Sequence, residues 1–149
     1  MNFQLRVHWH NEKKTGYPAI LTLVTDTMME NYQRYGELLT LTLFDGLIKE
    51  DTNRNFQVAF FSVLDGNMRP LLAGVSLFDD AVISPIYKSF RSLLDIQGKK
   101  PRSIVSNDYP TIVKGIKELC EGRIFDGGFL LHPLSVITEI TRKLEGKPN

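Results

Sequence analysis

The sequence predicts a mixed α/β (α+β) domain, a sheet with helices on its faces, from three observations. The run Leu38 to Gly46, LLTLTLFDG, is Leu-rich and partly β-branched and stops on Phe44-Asp45-Gly46, as a buried central strand does. Two more apolar runs, Phe56 to Leu64 and Arg69 to Phe78, follow across short turns, so three consecutive strands form an antiparallel meander. Amphipathic helical stretches then alternate with short apolar runs, as in a sheet covered by helices.

At 149 residues the chain suffices for one domain with a proper core and is short for two. Its 18 Lys and Arg against 17 Asp and Glu give a net charge of +1, which excludes a bulk field aimed at nucleic acid or at an acidic partner. The single cysteine, Cys120, excludes an internal disulfide and a Cys-cluster zinc site, and fits a reducing compartment. The opening MNFQLRVHWHNEKK lacks the apolar core of a signal peptide, and no run approaches the roughly 18 apolar residues of a membrane span. The expectation is a soluble, intracellular protein without membrane contact. The basic clusters KK at 13–14 and KKPR at 99–102 are too short for a nuclear address.

Residues 3–9, FQLRVHW, alternate, with Phe3, Leu5, Val7 and Trp9 on one side of a half-buried strand or an extended arm. His8 and His10 have a spacing at which two histidines can share a metal; with no third ligand nearby they read as solvated. NEKKTGYP is a loop, and AILTLV a second strand. Thr25-Asp26 caps a helix whose Met28, Met29, Tyr32 and Tyr35 form a packing stripe and which Gly36 ends. The central strand runs from Glu37 to Ile48, KEDTNRN is a polar turn, and Asp65-Gly66-Asn67 turns a hairpin.

Asp79-Asp80 opens the next helix, with Ile83, Ile86, Tyr87, Phe90, Leu93 and Leu94 inward and Gly98 at its end. Ser103-Ile104-Val105 is a short strand. Pro110 starts a helix with Ile112, Val113, Ile116, Leu119 and Cys120 on its inner face, so Cys120 reads as a buried, inert thiol. Arg123 to His132 holds a last strand, interrupted at Gly127-Gly128. Leu134 to Leu144 is a last helix with Leu134, Ile137, Ile140, Thr141 and Leu144 inward.

From Glu37 the order is β-β-β-α-β-α-β-α, that of a ribonuclease H-like mixed five-stranded sheet, with residues 1–36 as an N-terminal strand and helix extension packing on a 37–149 core. By that analogy the ends of the first and fourth strands bring Asp45 near the pair Asn107-Asp108. Two carboxylates there hold divalent cations, which clamp the attacking and leaving oxygens of a phosphodiester displacement. A third acid usually comes from the last helix.

Tyr35-Gly36-Glu37-Leu38-Leu39 running into Phe44-Asp45-Gly46, then Asn53, FQVAFFSVLDGNMRPLLAGVSLF and KKPRSIVSNDYPTIVKGIKEL resembles the core of Mutator-like element (MULE) transposases over residues 30 to 132. The resemblance implies a DDE-type enzyme that cuts and joins DNA with Mg²⁺, nuclear if the source is eukaryotic. It matches Asp45 to the first catalytic and metal-binding Asp, and puts the second at Asn107 without a gap, or at Asp108 one residue late. Gly46-Leu47-Ile48 replaces the family's Gly/Thr-Thr-Tyr, and Phe129 replaces the Cys of its Cys-His signature, whereas His132 is kept.

Glu139, 31 residues after Asp108, is the candidate third metal ligand, ahead of Glu145 and Glu118. Its place about 200° around the helix from Ile137 turns it away from the sheet. Asp108 also reads as a helix N-terminal cap before Pro110. The basic residues that would track DNA are dispersed among acids: Arg6, Lys13, Lys14, Lys49, Arg54, Arg69, Lys99, Lys100, Arg102, Lys114 and Lys117. No Walker loop or G-x-G-x-x-G suggests a small-molecule cofactor, and Mg²⁺ is expected only with activity.

Two readings follow. The chain is a degenerate, transposase-derived domain acting as a DNA- or protein-interaction module, or an active DDE-type transposase core. Asn107 and the missing third acid favour the first. The first strand and the Met-rich helix offer surface for a protein partner or a homodimer.

Overall fold

The structure, a computed structural model, describes residues 2–9, 18–49, 55–79, 82–107, 110–125, 127–131, 141 and 143–146, with backbone alone at 8, 9, 18, 45–49, 55 and 129–131. In chain order the elements are β1 (Phe3–Trp9), β2 (Pro18–Thr25), α1 (Asp26–Tyr35), β3 (Leu38–Lys49) and β4 (Asn55–Leu64). They continue with β5 (Pro70–Asp79), α2 (Pro85–Gln97), β6 (Ser103–Ser106), α3 (Pro110–Glu121) and β7 (Gly128–Leu131). The fold is a mixed α+β domain whose strands form one sheet in the order β1-β2-β5-β4-β3-β6-β7.

β3 is where the two pairing modes meet. It pairs antiparallel with β4, from Thr40 opposite Ser62 to Asp45 opposite Gln57, and parallel with β6, from Leu38 opposite Ser103 to Leu41 opposite Ser106. Its run does not stop at Asp45-Gly46. Pairing resumes beyond an irregularity, with Ile48 opposite Phe56 and Lys49 opposite Asn55, so β4 carries the strand past the Asp-Gly pair.

Among the described residues the sheet has seven strands rather than five, because β2 pairs antiparallel with β5 and β1 with β2. Without them β5 would be an edge with open backbone donors and acceptors. The buried hydroxyls of Thr22 and Ser76, cross-strand partners, hydrogen-bond at 2.8 Å and pin that register. Leu-Leu-Ala-Gly within β5 makes a bulge: Phe61 opposes Gly74 and Ser62 opposes Leu72, leaving Ala73 extra. Helix side chains take up the carbonyls it frees. Gln97 Nε2 donates to the Ala73 oxygen at 3.0 Å, and Asn31 Nδ2 to that of Leu72 at 2.9 Å.

α1 begins as the sequence predicts, with Thr25 Oγ1 accepting from the Met28 amide at 3.2 Å, and ends with the Gly36 amide donating to the Tyr32 carbonyl. Tyr32 is fully buried and donates its hydroxyl to the Lys99 carbonyl. Burial pushes its phenol well above the usual range, so it stays a neutral donor. The stripe Met28, Met29 and Tyr35 packs against the core.

α2 starts later than Asp79-Asp80. Asp79 is the buried last residue of β5, and the helix opens at Pro85 after Ser84 at φ 52°. Proline suits the first helical turn but bars the residue before it from helical backbone. Ile83 therefore falls outside the helix and is exposed. Phe90 of α2 meets Phe61 of β4 edge-on at a centroid distance of 6.3 Å and Phe125 at 6.2 Å. α3 closes on α2 at Gly115, where an added Cβ would lie 2.5 Å from Ile86 Cβ.

Four further expectations are corrected. Phe3 and Leu5 are 61% and 45% exposed, because β1 is an outer strand and neither α1, α2 nor α3 packs on the face they share. Cys120 is exposed: its α3 neighbour Leu119 takes the inward position, and one step of 100° carries Cys120 off that face. Thr141 and Leu144 are exposed, Leu144 by 83%, rather than inward. Among the described residues the last strand is Gly128–Leu131 and does not begin at Arg123, since Arg123 turns at φ 57° and Phe125 enters the core. His10, residues 10–17 and 50–54, and the greater part of the last predicted helix lie outside the described residues.

Gly115→Ala should lower stability in urea denaturation. Overpacking against Ile86 costs about 1–3 kcal/mol, against about 1 kcal/mol of helix propensity gained. The Asp65 turn gives a pH test. Its carboxylate accepts from the Arg69 amide at 2.9 Å, the Asn67 amide at 2.8 Å and the Arg69 guanidinium at 3.1 Å. The Arg69 amide above all, then the Asn67 amide and the Arg69 charge, hold its pKa below the ordinary 3.8. The contribution of Asp65 is full above that value and is lost as pH falls through the lower folded pKa. Protection of the Met68 and Arg69 amides from hydrogen exchange should drop with acidification there, and Asp65→Asn should flatten the dependence.

Candidate functional site

β3 and β5, each antiparallel to β4, run the same way, and β6 runs parallel to β3. Their C-terminal ends share one edge of the sheet, the edge where open α/β sheets bind ligands. α2 leaves β5 and α3 leaves β6 at that edge, so their first turns border a common cleft of about 490 Å³. Gln57, Asp79, Thr111, Lys114 and Glu118 supply its polar lining, and Ile86 and Gly115 lie on its apolar wall.

Thr111, Lys114, Gly115 and Glu118 stand at i, i+3, i+4 and i+7 along α3, one face of a helix. That spacing is legible in the sequence, yet of the four only Glu118, as a minor metal ligand, and Lys114, as one of many basic residues, are candidates there. Asp79, read as a helix cap, is a buried lining residue instead. Glu118 Oε1 and Asn107 Oδ1 are shielded from solvent without a hydrogen-bond partner among the described residues. Two carboxylates, an ammonium and a hydroxyl in one cleft can hold a hard cation or meet a phosphate.

The expected catalytic residues are placed only in part. The backbone of Asp45 lies in β3 opposite Gln57, a lining residue. Asp108 and Glu139 lie outside the described residues, as does His132. Asn107 directly follows Ser106, the partner of Leu41. Asp45 stands four residues beyond Leu41, about 13 Å along the strand. Among the described residues no three of His, Cys, Asp and Glu come together as a metal-holding group.

Among the described residues that line the cleft, Lys114 is the one cation. Arg91, Lys99 and Lys100 line a separate cleft of about 250 Å³ at the far end of α2. No helix among the described residues is long and apolar enough to cross a membrane. No known protein family, curated protein or solved structure matches this chain.

A solvent-shielded carboxylate oxygen without a partner costs stability, about 1–3 kcal/mol. Glu118→Met, which keeps the length and removes the charge, should raise stability in urea denaturation by about 1 kcal/mol. A loss instead would mean that the carboxylate is satisfied and structural.

Proposed function

We propose that this chain is a MULE transposase-derived domain of ribonuclease H type that has kept its fold and lost full catalytic competence, and that it acts as a DNA- or protein-interaction module. The strand order β5-β4-β3-β6-β7 supports the fold reading, with β4 antiparallel to both neighbours and β6 and β7 continuing parallel from β3. The motifs from Tyr35 to Gly46 and from Lys99 to Leu119 support the transposase origin.

The observation that carries the loss of competence is the register between β3 and β6. An in-line phosphodiester displacement by two metals needs carboxylates about 4–6 Å apart across the two strand ends. With Leu41 opposite Ser106, the β3 residue level with Asn107 is Thr42, and Asp45 follows three residues later, about 10 Å along the strand. The residue that directly follows Ser106 is an amide, which contributes no charge to a metal.

The cleft favours the alternative, an active DDE-type core. Asp79 and Glu118 line it, Asp45 is the cross-strand partner of a third lining residue, and Mg²⁺ held there would serve DNA cleavage and strand transfer. Calorimetric titration of Mg²⁺ and Mn²⁺ into the wild type, Asp45→Asn and Glu118→Gln separates the two. The impaired reading expects no binding in the micromolar to low-millimolar range. Binding in that range that Asp45→Asn abolishes, with cleavage of duplex DNA, would establish the enzyme.

A further inference from the structure

α1, α2 and α3 all pack on the face of the sheet that holds Ile20, Val24, Leu41, Leu43, Phe61 and Phe78. The strand registers show what the other face carries. Side chains of directly opposed residues on antiparallel strands share a face. One row crosses five strands as Leu5, Leu23, Val75, Phe60 and Thr42. The next crosses the same strands as Val7, Leu21, Leu77, Val58 and Phe44. Nine of these ten residues are apolar and none is charged.

The rows are accessible to a partner. Phe44 at one end is 44% exposed and meets Phe60 edge-on at 5.4 Å, Leu5 at the other is 45% exposed, and the residues between are half-buried. Neither α1, α2 nor α3 lies over them.

We infer that this face is a homodimer interface, closed by the same face of a second copy. Five strands at about 4.8 Å, with side chains standing beyond the outer two and from Phe3 to Val7 along β1, span roughly 24 by 18 Å. That makes about 430 Å² of contact plane on each copy and about 900 Å² for the pair, the size of a weak, concentration-dependent interface. The chemistry selects a like partner. With no charge in the rows, nucleic acid and charged peptides find nothing to pair with, and a net charge of +1 sets no barrier between copies. Two copies share one right-handed twist, which lets sheets stack about 10 Å apart at about −30° with their apolar rows interdigitated. The inference stands apart from the transposase reading, since it uses only the sheet face away from the cleft.

Sedimentation velocity of the full chain across the micromolar range tests it. The expected result is a concentration-dependent rise from 17.0 kDa to twice that mass. Leu23→Lys and Val75→Lys, at the centre of the rows, should hold the chain at the monomer mass with unchanged circular dichroism. Leu5→Lys, on the outer strand where folding tolerates a charge, should weaken the dimer at least tenfold and decides the matter if the central variants fail to fold. A wild type that stays monomeric throughout, with central variants that unfold, would overturn the inference and assign the face to packing within one chain. A dimer that survives Leu5→Lys and either central variant would overturn it as well.

Discussion

The helix layer hangs on Phe90. From the middle of α2 it reaches Phe61 on the sheet and Phe125 beyond α3, so one aromatic chain ties β4, α2 and the turn before β7. Each ring is fully buried, and edge-on geometry puts the positive rim of one ring against the negative face of another. Gly115 lets α3 close on Ile86 beside this chain, and Leu93 fills the space that a side chain at Gly74 would occupy. Because both crossover helices are drawn to this face, the apolar rows opposite receive neither of them.

The same arrangement makes the cleft. The crossovers from β5 through α2 and from β6 through α3, each joining parallel strands, start both helices at one sheet edge. Gln57, Asp79 and the polar stripe of α3 meet there as a consequence of topology. Glu118 keeps a shielded oxygen without a partner among the described residues, and Ser84 a left-handed backbone, both costs that packing alone does not require. Elsewhere among the described residues Gln97 Nε2 supports the Ala73 bulge and Thr22 finds Ser76, while Ser89 Oγ and Gln97 Oε1 share the condition of the Glu118 oxygen.

The chain thus has two surfaces of opposite character. At the strand ends lies a polar cleft with acids, a lysine and hydroxyls. Across the outer sheet face run two uncharged apolar rows. The two are spatially independent, since the sheet face and the strand ends do not overlap.

The sequence by itself determined the elements, because periodicity and end signals act locally. Alternation and β-branching marked β2 to β5, Thr25 and Gly36 bounded α1, Gly98 closed α2, and Pro110 opened α3. It misplaced the start of α2, where the aspartates at 79 and 80 looked like a cap and Pro85 decided otherwise. Tertiary structure alone decided which apolar faces are covered. Phe3, Leu5 and Phe44 alternate as core residues do, yet stand on the face away from the three helices, and Cys120 follows Leu119 but turns outward. Only pairing could show that β2 extends the sheet from β5, that Ala73 is a bulge, and that Asp45 runs past the level of Asn107. Local sequence carries the period of a strand; register and face are properties of its neighbours, which lie as far as 65 residues away in the chain, as Leu38 and Ser103 do.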